Sequence, residues 1–361
     1  MQMGIDPNRW EHGSDFHLEA LFTEEASAWW EGKVRLASGR DALLWVLLLG
    51  RERYGWTRVW LPSYNCEVVL QRLVGSPFQI RVYEAGPEGC GPTPNAEPGD
   101  VLVRTSYFGW GLPPLDRPFE GATVEDHTHD PWAATVSSAT FAVASLRKTL
   151  PLSDGGVAWS PSGVPLPLSP ALTPDHARSA ARRQAAMALK RLYLAGAFSD
   201  KEAYRGMAVQ AEAELGQGAL SGMTGWSAAM ANAIPLETWR ETRAANGEWL
   251  ASALEGLLGV EVIRPPMDWE MPGVPLGVFL RCRSAAIRQA LRDELCAARI
   301  YPAVLWPVGQ LPYALPEAQR MFSDTTLMLH VDARYARPDL ERVAQTVRSA
   351  VCHISNDVFS C

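Results

Sequence analysis

TFAVASLRKTLPLSDGGVAW, residues 140–159, decides the reading of the fold. Thr140 to Ala144 is a short apolar run of strand type. Ser145-Leu146-Arg147-Lys148-Thr149 leaves it, Ser153-Asp154-Gly155-Gly156 forms a turn, and Val157 to Trp159 is a second short strand. A continuous apolar run bounded by turn residues is the pattern of a strand buried on both faces. Runs of the same kind lie upstream at Arg58 to Leu61, Gln79 to Tyr83, Val101 to Thr105 and Ala122 to Glu125. Helical patterns stand among them. Arg40 to Arg53 has the apolar body ALLWVLLL, an entry at Ser38-Gly39 and Gly55 just past its end, and Glu67 to Val74 is a shorter helix. Strands interleaved with helices predict an α/β sheet covered on both sides.

Downstream the pattern changes. A proline-rich stretch, Pro161 to Pro174, closes the region, and long helical segments follow from His176 to Ala197, Asp200 to Gly216 and Glu237 to Leu258. Then come strands at Val260 to Ile263 and Leu276 to Arg281, a helix from Ser284 to Ala298, a strand from Leu327 to Val331 and a helix from Pro338 to Val351. This reads as a compact α+β domain. A chain of 361 residues is too long for one hydrophobic core, so the expected division is a large domain, residues 1–232, and a small one, residues 233–361.

With 47% hydrophobic and 20% charged residues the chain is an ordinary globular protein. Its net charge of −7 argues against general nucleic-acid binding, which depends on neutralising phosphates. The six cysteines form no C-x-x-C pair and have wide, irregular spacings, which suits reduced thiols in a cytoplasmic protein. The N-terminus carries no apolar signal region. The longest strongly apolar run, Leu43 to Leu49, is far too short to span a membrane. No membrane or nucleic-acid partner is expected.

Three features point to one chemistry. Lys148 follows a strand, Asp126 follows the end of another, and Ser38-Gly39-Arg40 opens the first strong helix. Pyridoxal 5'-phosphate (PLP) needs a lysine amine to hold it as a Schiff base and an acid against its pyridine nitrogen. Its phosphate needs backbone N–H groups at a helix N-terminus. Asp126 precedes Lys148 by 22 residues, enough to leave one strand and return along its neighbour. Taken singly, a loop lysine is ordinarily a solvated group, an aspartate at a strand end a turn former, and Ser-Gly before a helix a cap. Their order is what carries the reading.

The chain resembles the DegT/StrS family of PLP-dependent aminotransferases over most of its length. SGRDALLWVLL is similar to that family's phosphate-binding SG-T-x-AL turn, WLPSYNCEVV to its V-P-S-Y-T segment and TSYFGW to its H-x-Y-G segment. VEDHTHD resembles E-D-A-A-Q, SLRKTLPLSDGGVAW the lysine segment ending in G-E-G-G, and LMLHVDARYARPDLERV the L-P-L-H-P-x-x-T close. The resemblance implies fold type I, with a large mixed-sheet α/β domain and a smaller C-terminal α+β domain, assembled as a homodimer. It implies Lys148 and Asp126 as the catalytic pair. It implies cofactor binding by Ser38, Gly39, Arg40, Tyr107, Phe108, His129 and Ser145, with Tyr64 and Trp110 also beside the ring. His129 stands in the glutamine place. The implied reaction is transfer of an amino group from an amino-acid donor to a keto acceptor, in that family a nucleotide-linked keto sugar.

The chain also departs from the pattern. The family's serine five residues before the lysine is Val143 here, with Ser145 at minus three, and Thr149 replaces the asparagine that follows the lysine. The N-Y-R-M-S segment, which reaches the neighbouring subunit's site, falls on Met223 to Ser227, without its asparagine and arginine. Arg40 replaces a threonine. These changes keep two alternatives open: other carbanion chemistry on the same fold (elimination, dehydration or aldol cleavage), and an inactive scaffold. His127-x-His129-Asp130 hints at a metal, but no further ligand cluster accompanies it, so none is expected. Arg178, Arg182, Arg183, Lys190 and Arg191 make a basic helix, read as a solvated face or an anionic docking patch. Arg334 reads as a surface group or a carboxylate binder. No Walker A or G-x-G-x-x-G sequence is present.

Overall fold

The computed structural model describes residues 5–19 and 27–359. Its first half is built on β1 (Val34–Leu36), β2 (Arg58–Pro62) and β3 (Gln79–Tyr83), a small ribbon of β4 (Ala85–Gly86) with β5 (Gly89–Cys90), and then β6 (Asp100–Thr105), β7 (Ala122–Asp126), β8 (Phe141–Ser145) and β9 (Gly156–Trp159). All but the ribbon join one sheet in the order β1-β9-β8-β7-β6-β2-β3. Neighbours from β3 to β8 are parallel, while β9 is antiparallel to both β8 and β1. The six strands expected from the sequence all form, within a residue of their expected ends. β1 was not expected; three residues are too few to show a period.

The sheet is buried on both faces because successive side chains point to opposite sides. Phe141 and Val143 of β8 join the core that contains Leu43, Val46 and Leu47 of α1 (Gly39–Tyr54). Ala142 and Ala144 of the same strand join the opposite core, with Leu146, Met230 and Trp239. A one-residue slip of β8 would exchange the two sets. α1 begins at Ser38, whose hydroxyl accepts from the Asp41 N–H at 3.2 Å. It stops at Gly55, left-handed at φ +71°, whose N–H donates to the Arg51 carbonyl at 3.1 Å.

α2 (Glu67–Leu73) follows β2. The long helices α3 (Pro174–Leu194) and α4 (Lys201–Glu214) pack along each other beyond the sheet, and α5 (Gly225–Ala233) leads to α6 (Leu236–Leu254). The second half is an antiparallel sheet of β10 (Val260–Ile263), β11 (Gly277–Cys282) and β12 (Thr326–His330), with α7 (Ala285–Ala297), α8 (Glu317–Thr325) and α9 (Arg337–Phe359). α9 buries Leu340, Val343 and Val347, a stripe spaced for one helical face. Each such side chain contributes about 1.5–3 kcal/mol. α5 and α8 were not expected; each has nine residues, too few for a clear periodicity.

The proposed division at 232/233 falls in the last turn of α5. Residues near the N-terminus join the second core rather than the first: Trp10 packs with Leu250, Leu340 and Val343, and His12 bridges to Ile300. Arg334 fixes this arrangement. It is held by Asp332 at 2.7 and 2.9 Å and donates to the Ser14 and Asp15 carbonyls at 3.1 and 3.2 Å. The side chain expected at the surface or in a substrate site is thus a buried brace for the N-terminal segment.

Candidate active site

The parallel pair β7 and β8 ends at one sheet edge, with Asp126 opposite Val143. Asp126 is the last residue of β7, and Lys148 ends the tight turn Leu146–Lys148 that follows β8. In an α/β sheet the carboxyl edge is where ligands bind. The N-terminus of α1 reaches the same edge. A Cβ on Gly39 would lie 2.7 Å from the Ser145 Cβ and 2.9 Å from its nitrogen, so only glycine lets the helix approach β8 this closely.

The cleft formed here contains Ser38, Gly39, Arg40, Asp126, His129, Ser145 and Lys148 together. Seven of the nine residues to which the resemblance gives catalysis or cofactor binding line one cavity. The remaining two lie behind its wall. Tyr107 and Phe108 are fully buried in an aromatic cluster with Tyr64 and Trp110. The Tyr107 hydroxyl donates to the Tyr64 carbonyl at 2.8 Å, and the Phe108 N–H donates to His129 Nδ1 at 3.1 Å. Tyr64 shapes the cleft at one remove: its hydroxyl donates to the Leu305 carbonyl at 2.6 Å and accepts from the Trp306 N–H at 3.0 Å, placing those two residues on the wall.

The electrostatics differ from group to group. Burial raises the Asp126 carboxyl above the ordinary aspartate value, against the opposing Thr128 hydrogen bonds. Its Oδ1 accepts from the Thr128 N–H at 2.9 Å, and no ion pair engages it among the described residues. A partly desolvated carboxylate without a cation is unfavourable, so a cation placed here is favoured. His129 is pushed down to about 3 by burial, with Lys148 adding to the effect. It is therefore neutral near pH 7. Because Nδ1 accepts from Phe108, the ring proton sits on Nε2; the Ser106 carbonyl at 3.5 Å is a contact only. Lys148 is exposed to the cleft, and no carboxylate pairs with it among the described residues.

Thr128 ties the strand ends together. Besides its amide bond to Asp126, its hydroxyl accepts from the Ser145 N–H at 2.9 Å. Its position two residues after Asp126 is the spacing of an aspartate turn, a signal present in VEDHTHD. Glu212 of α4, Leu276, Leu305 and Trp306 also line the cleft; they come from distant segments that carry no local motif. Glu212 accepts from Arg40 Nη2 at 3.2 Å and from Arg147 Nη2 at 2.5 Å. Burial would raise its carboxyl, but Arg147, Lys148 and Arg40 outweigh burial and hold it at about 2.

The turn after Lys148 anchors a second segment. Asp154, fully buried, accepts from His176 Nε2 at 2.8 Å, from the Thr224 N–H at 2.8 Å and from the Thr224 hydroxyl at 2.7 Å. The stretch Met223 to Ser227 is thereby fixed to the lysine segment. His127 and His129 diverge: His127 Nε2 meets Glu125 at 2.9 Å, while His129 faces the cleft. Among the described residues no three His, Cys, Asp or Glu side chains gather as a metal site. The basic helix is largely neutralised, with Arg178 on Asp175, Arg182 on Glu214 and Arg183 on Asp15. Among the described residues no helix is long and apolar enough to cross a membrane.

No family description matches the sequence, and no curated protein is similar to it. Solved structures are similar in fold. The aminotransferase TlmJ from Streptoalloteichus hindustanus has a TM-score of 0.56 at 15% identity, over 90% of this chain and 87% of that one. DesV from S. venezuelae, solved in complex with a ketimine intermediate, has a TM-score of 0.53 at 17% identity, over 94% and 91%. DesI, solved in the presence of its TDP-sugar product, has a TM-score of 0.56 at 16% identity, over 88% and 80%. The fold is therefore that of the fold-type-I aminotransferases, as the sequence resemblance implied.

Proposed function

We propose that this chain is a PLP-dependent aminotransferase that moves an amino group from an amino-acid donor to a keto acceptor. The observation that carries the proposal is the convergence of Lys148, Asp126 and the N-terminus of α1 on one cleft. The residues present suit the cofactor. Asp126 is a half-buried carboxylate without a cation, which a protonated pyridine nitrogen would provide. Gly39 and Arg40 open a helix of 16 residues whose dipole favours a phosphate.

When bound, PLP supplies a carbonyl carbon for amines and a ring that accepts the electron pair released at the donor α-carbon. Lys148 supplies the amine that attaches the cofactor. With that amine free, Lys148 would be the group that carries the proton at the donor α-carbon. Asp126 would hold the ring nitrogen and keep it protonated. His129, neutral with its proton on Nε2, would donate to an oxygen on the ring. Trp306, Leu305 and Leu276 give the cleft an apolar wall that limits water.

A nucleotide-linked keto sugar is the acceptor class we propose, on the strength of the fold shared with DesI and its TDP-sugar product. Assembly as a homodimer in the cytoplasm belongs to the same reading. The loss of asparagine and arginine from Met223 to Ser227 supports, as a second reading, other carbanion chemistry on the same cofactor. The test is the visible absorbance of purified protein with PLP, before and after borohydride, alongside Lys148→Ala. A band that borohydride bleaches in the wild type and that the variant lacks is the expected result. Conversion to the pyridoxamine form by amino donors then separates transamination from the second reading. Full transfer activity in Lys148→Ala would sink the assignment.

A further inference from the structure

Arg40 and Arg147 line the cleft beside Lys148 and the first turn of α1. Glu212 joins them with one carboxylate oxygen each: Oε1 takes Arg40 Nη2 at 3.2 Å, and Oε2 takes Arg147 Nη2 at 2.5 Å. Only one nitrogen of each guanidinium is used in this bridge. Arg147 Nε is buried and has no acceptor, and a buried N–H left without a partner is unfavourable. The other carboxylate of the first turn, Asp41, is engaged by Arg72 at 2.7 Å and does not neutralise the pair. Two guanidiniums, Arg40 and Arg147, thus share one ionised carboxylate, Glu212, beside Lys148 at a helix N-terminus. The close approach of Gly216, where an added Cβ would lie 2.8 Å from Arg40 Cδ, holds the Arg40 stem in place at the end of α4.

We infer that Arg40 and Arg147 form a two-guanidinium clamp for a phosphate dianion, with Glu212 as the positioning residue that sets their separation. Planar guanidinium donors in a fixed pair suit phosphate oxygens better than a single ammonium does. The inference rests on the proposed function, in which two phosphates are available: that of the cofactor and those of a nucleotide-linked substrate.

The experiment compares wild type, Arg147→Gln, Arg40→Gln and Arg147→Lys. Binding of PLP and of pyridoxal, which lacks the phosphate, is read by visible absorbance. Binding of inorganic pyrophosphate to the holoenzyme is read by calorimetry, with thermal melting as a check on folding. The wild type should prefer PLP to pyridoxal. Each glutamine variant should lose about tenfold or more of that preference, the worth of a charge-assisted hydrogen bond, with pyridoxal binding unchanged and partial recovery in Arg147→Lys. An unchanged PLP preference together with lost pyrophosphate binding assigns the clamp to the substrate's phosphates. No change in either quantity overturns the clamp. If the wild type binds no PLP, the proposed function fails by itself. The clamp is then judged by pyrophosphate binding to the chain alone, where an unchanged affinity in Arg147→Gln overturns it.

Discussion

Replacing Asp126 by asparagine should move two quantities in opposite directions. In the structure the residue is half-buried, its carboxyl is raised above its ordinary value by burial, and the Thr128 N–H donates to it at 2.9 Å. Asparagine keeps that bond through its own Oδ1 and removes the charge. Without cofactor, ionised Asp126 is a liability near neutral pH. Its folded-state value lies above its unfolded one, so it costs stability above the unfolded value, and the cost disappears as pH falls below it. Cofactor-free Asp126→Asn should therefore melt higher than wild type at pH 7.5, with the gap closing below about pH 4. With cofactor the sign reverses. The charge-assisted bond to the pyridine nitrogen is worth about 1.5–3 kcal/mol more than no bond, so PLP affinity should fall about 10- to 150-fold. Thermal melting of the cofactor-free protein across pH, with a PLP titration followed by absorbance, measures both. Unchanged PLP affinity, or a variant that melts lower than wild type without cofactor, would refute the assignment of Asp126.

Two further substitutions test the frame of the site. Gly39→Ala places a Cβ 2.7 Å from the Ser145 side chain and 2.9 Å from its backbone nitrogen, so α1 must shift away from β8. A stability loss of about 1–3 kcal/mol in urea unfolding is expected, together with weaker PLP binding. Asp154→Ala strips the partners from His176 and Thr224 and should cost about 3–5 kcal/mol at neutral pH. Burial would raise the Asp154 carboxyl, but its bonds to His176, Ser227 and Thr224 hold it below the ordinary value. Its contribution is thus present above the unfolded aspartate value and lost as pH falls through the folded one. The gap between wild type and variant should therefore narrow in acid, which unfolding measured at pH 7 and pH 3.5 would show.

What was legible in the sequence was local. β8 (FAVAS) and the centre of β6 (VLV) are continuous apolar runs because both faces of each are covered, and a run of that kind looks the same whatever lies above and below it. Lys148, Asp126 and Ser38 were legible because each stands where a strong element ends or begins, and the sheet topology then brings those ends to one edge. Tyr107 and Phe108 were placed beside the ring by motif position alone. A motif does not say which face of a turn points inward, and here both side chains fill the aromatic cluster behind His129. Glu212, Leu305 and Trp306 left no trace, since their place depends on how α4 and the segment between α7 and α8 pack against residues far away in the chain. Arg334 misled in the same way: an arginine is usually exposed, and only the fold reveals Asp332 and the N-terminal carbonyls around it.

The stretch Met223 to Ser227 separates what the fold needs from what a substrate needs. Asp154 stands six residues after Lys148 and grips Thr224 through both its amide and its hydroxyl. Ser153 and Ser227 add a hydroxyl pair at 3.0 Å. These are bonds of the scaffold, and they keep the segment in a set position relative to the lysine whatever its remaining side chains are. The positions that carry asparagine and arginine in the resembled family are thereby free to change without loss of the fold, and in this chain they have changed. Trp226, beside Thr224, is 47% exposed at the start of α5, a large apolar surface on a segment otherwise tightly held. Met223 stands in the asparagine place and Gly225 in the arginine place, so the two polar groups are lost and not replaced, while Trp226 takes the methionine place. Met223 to Ser227 carries no charged side chain, so comparing keto acceptors with and without an anionic group tests whether the lost arginine bears on the choice of acceptor.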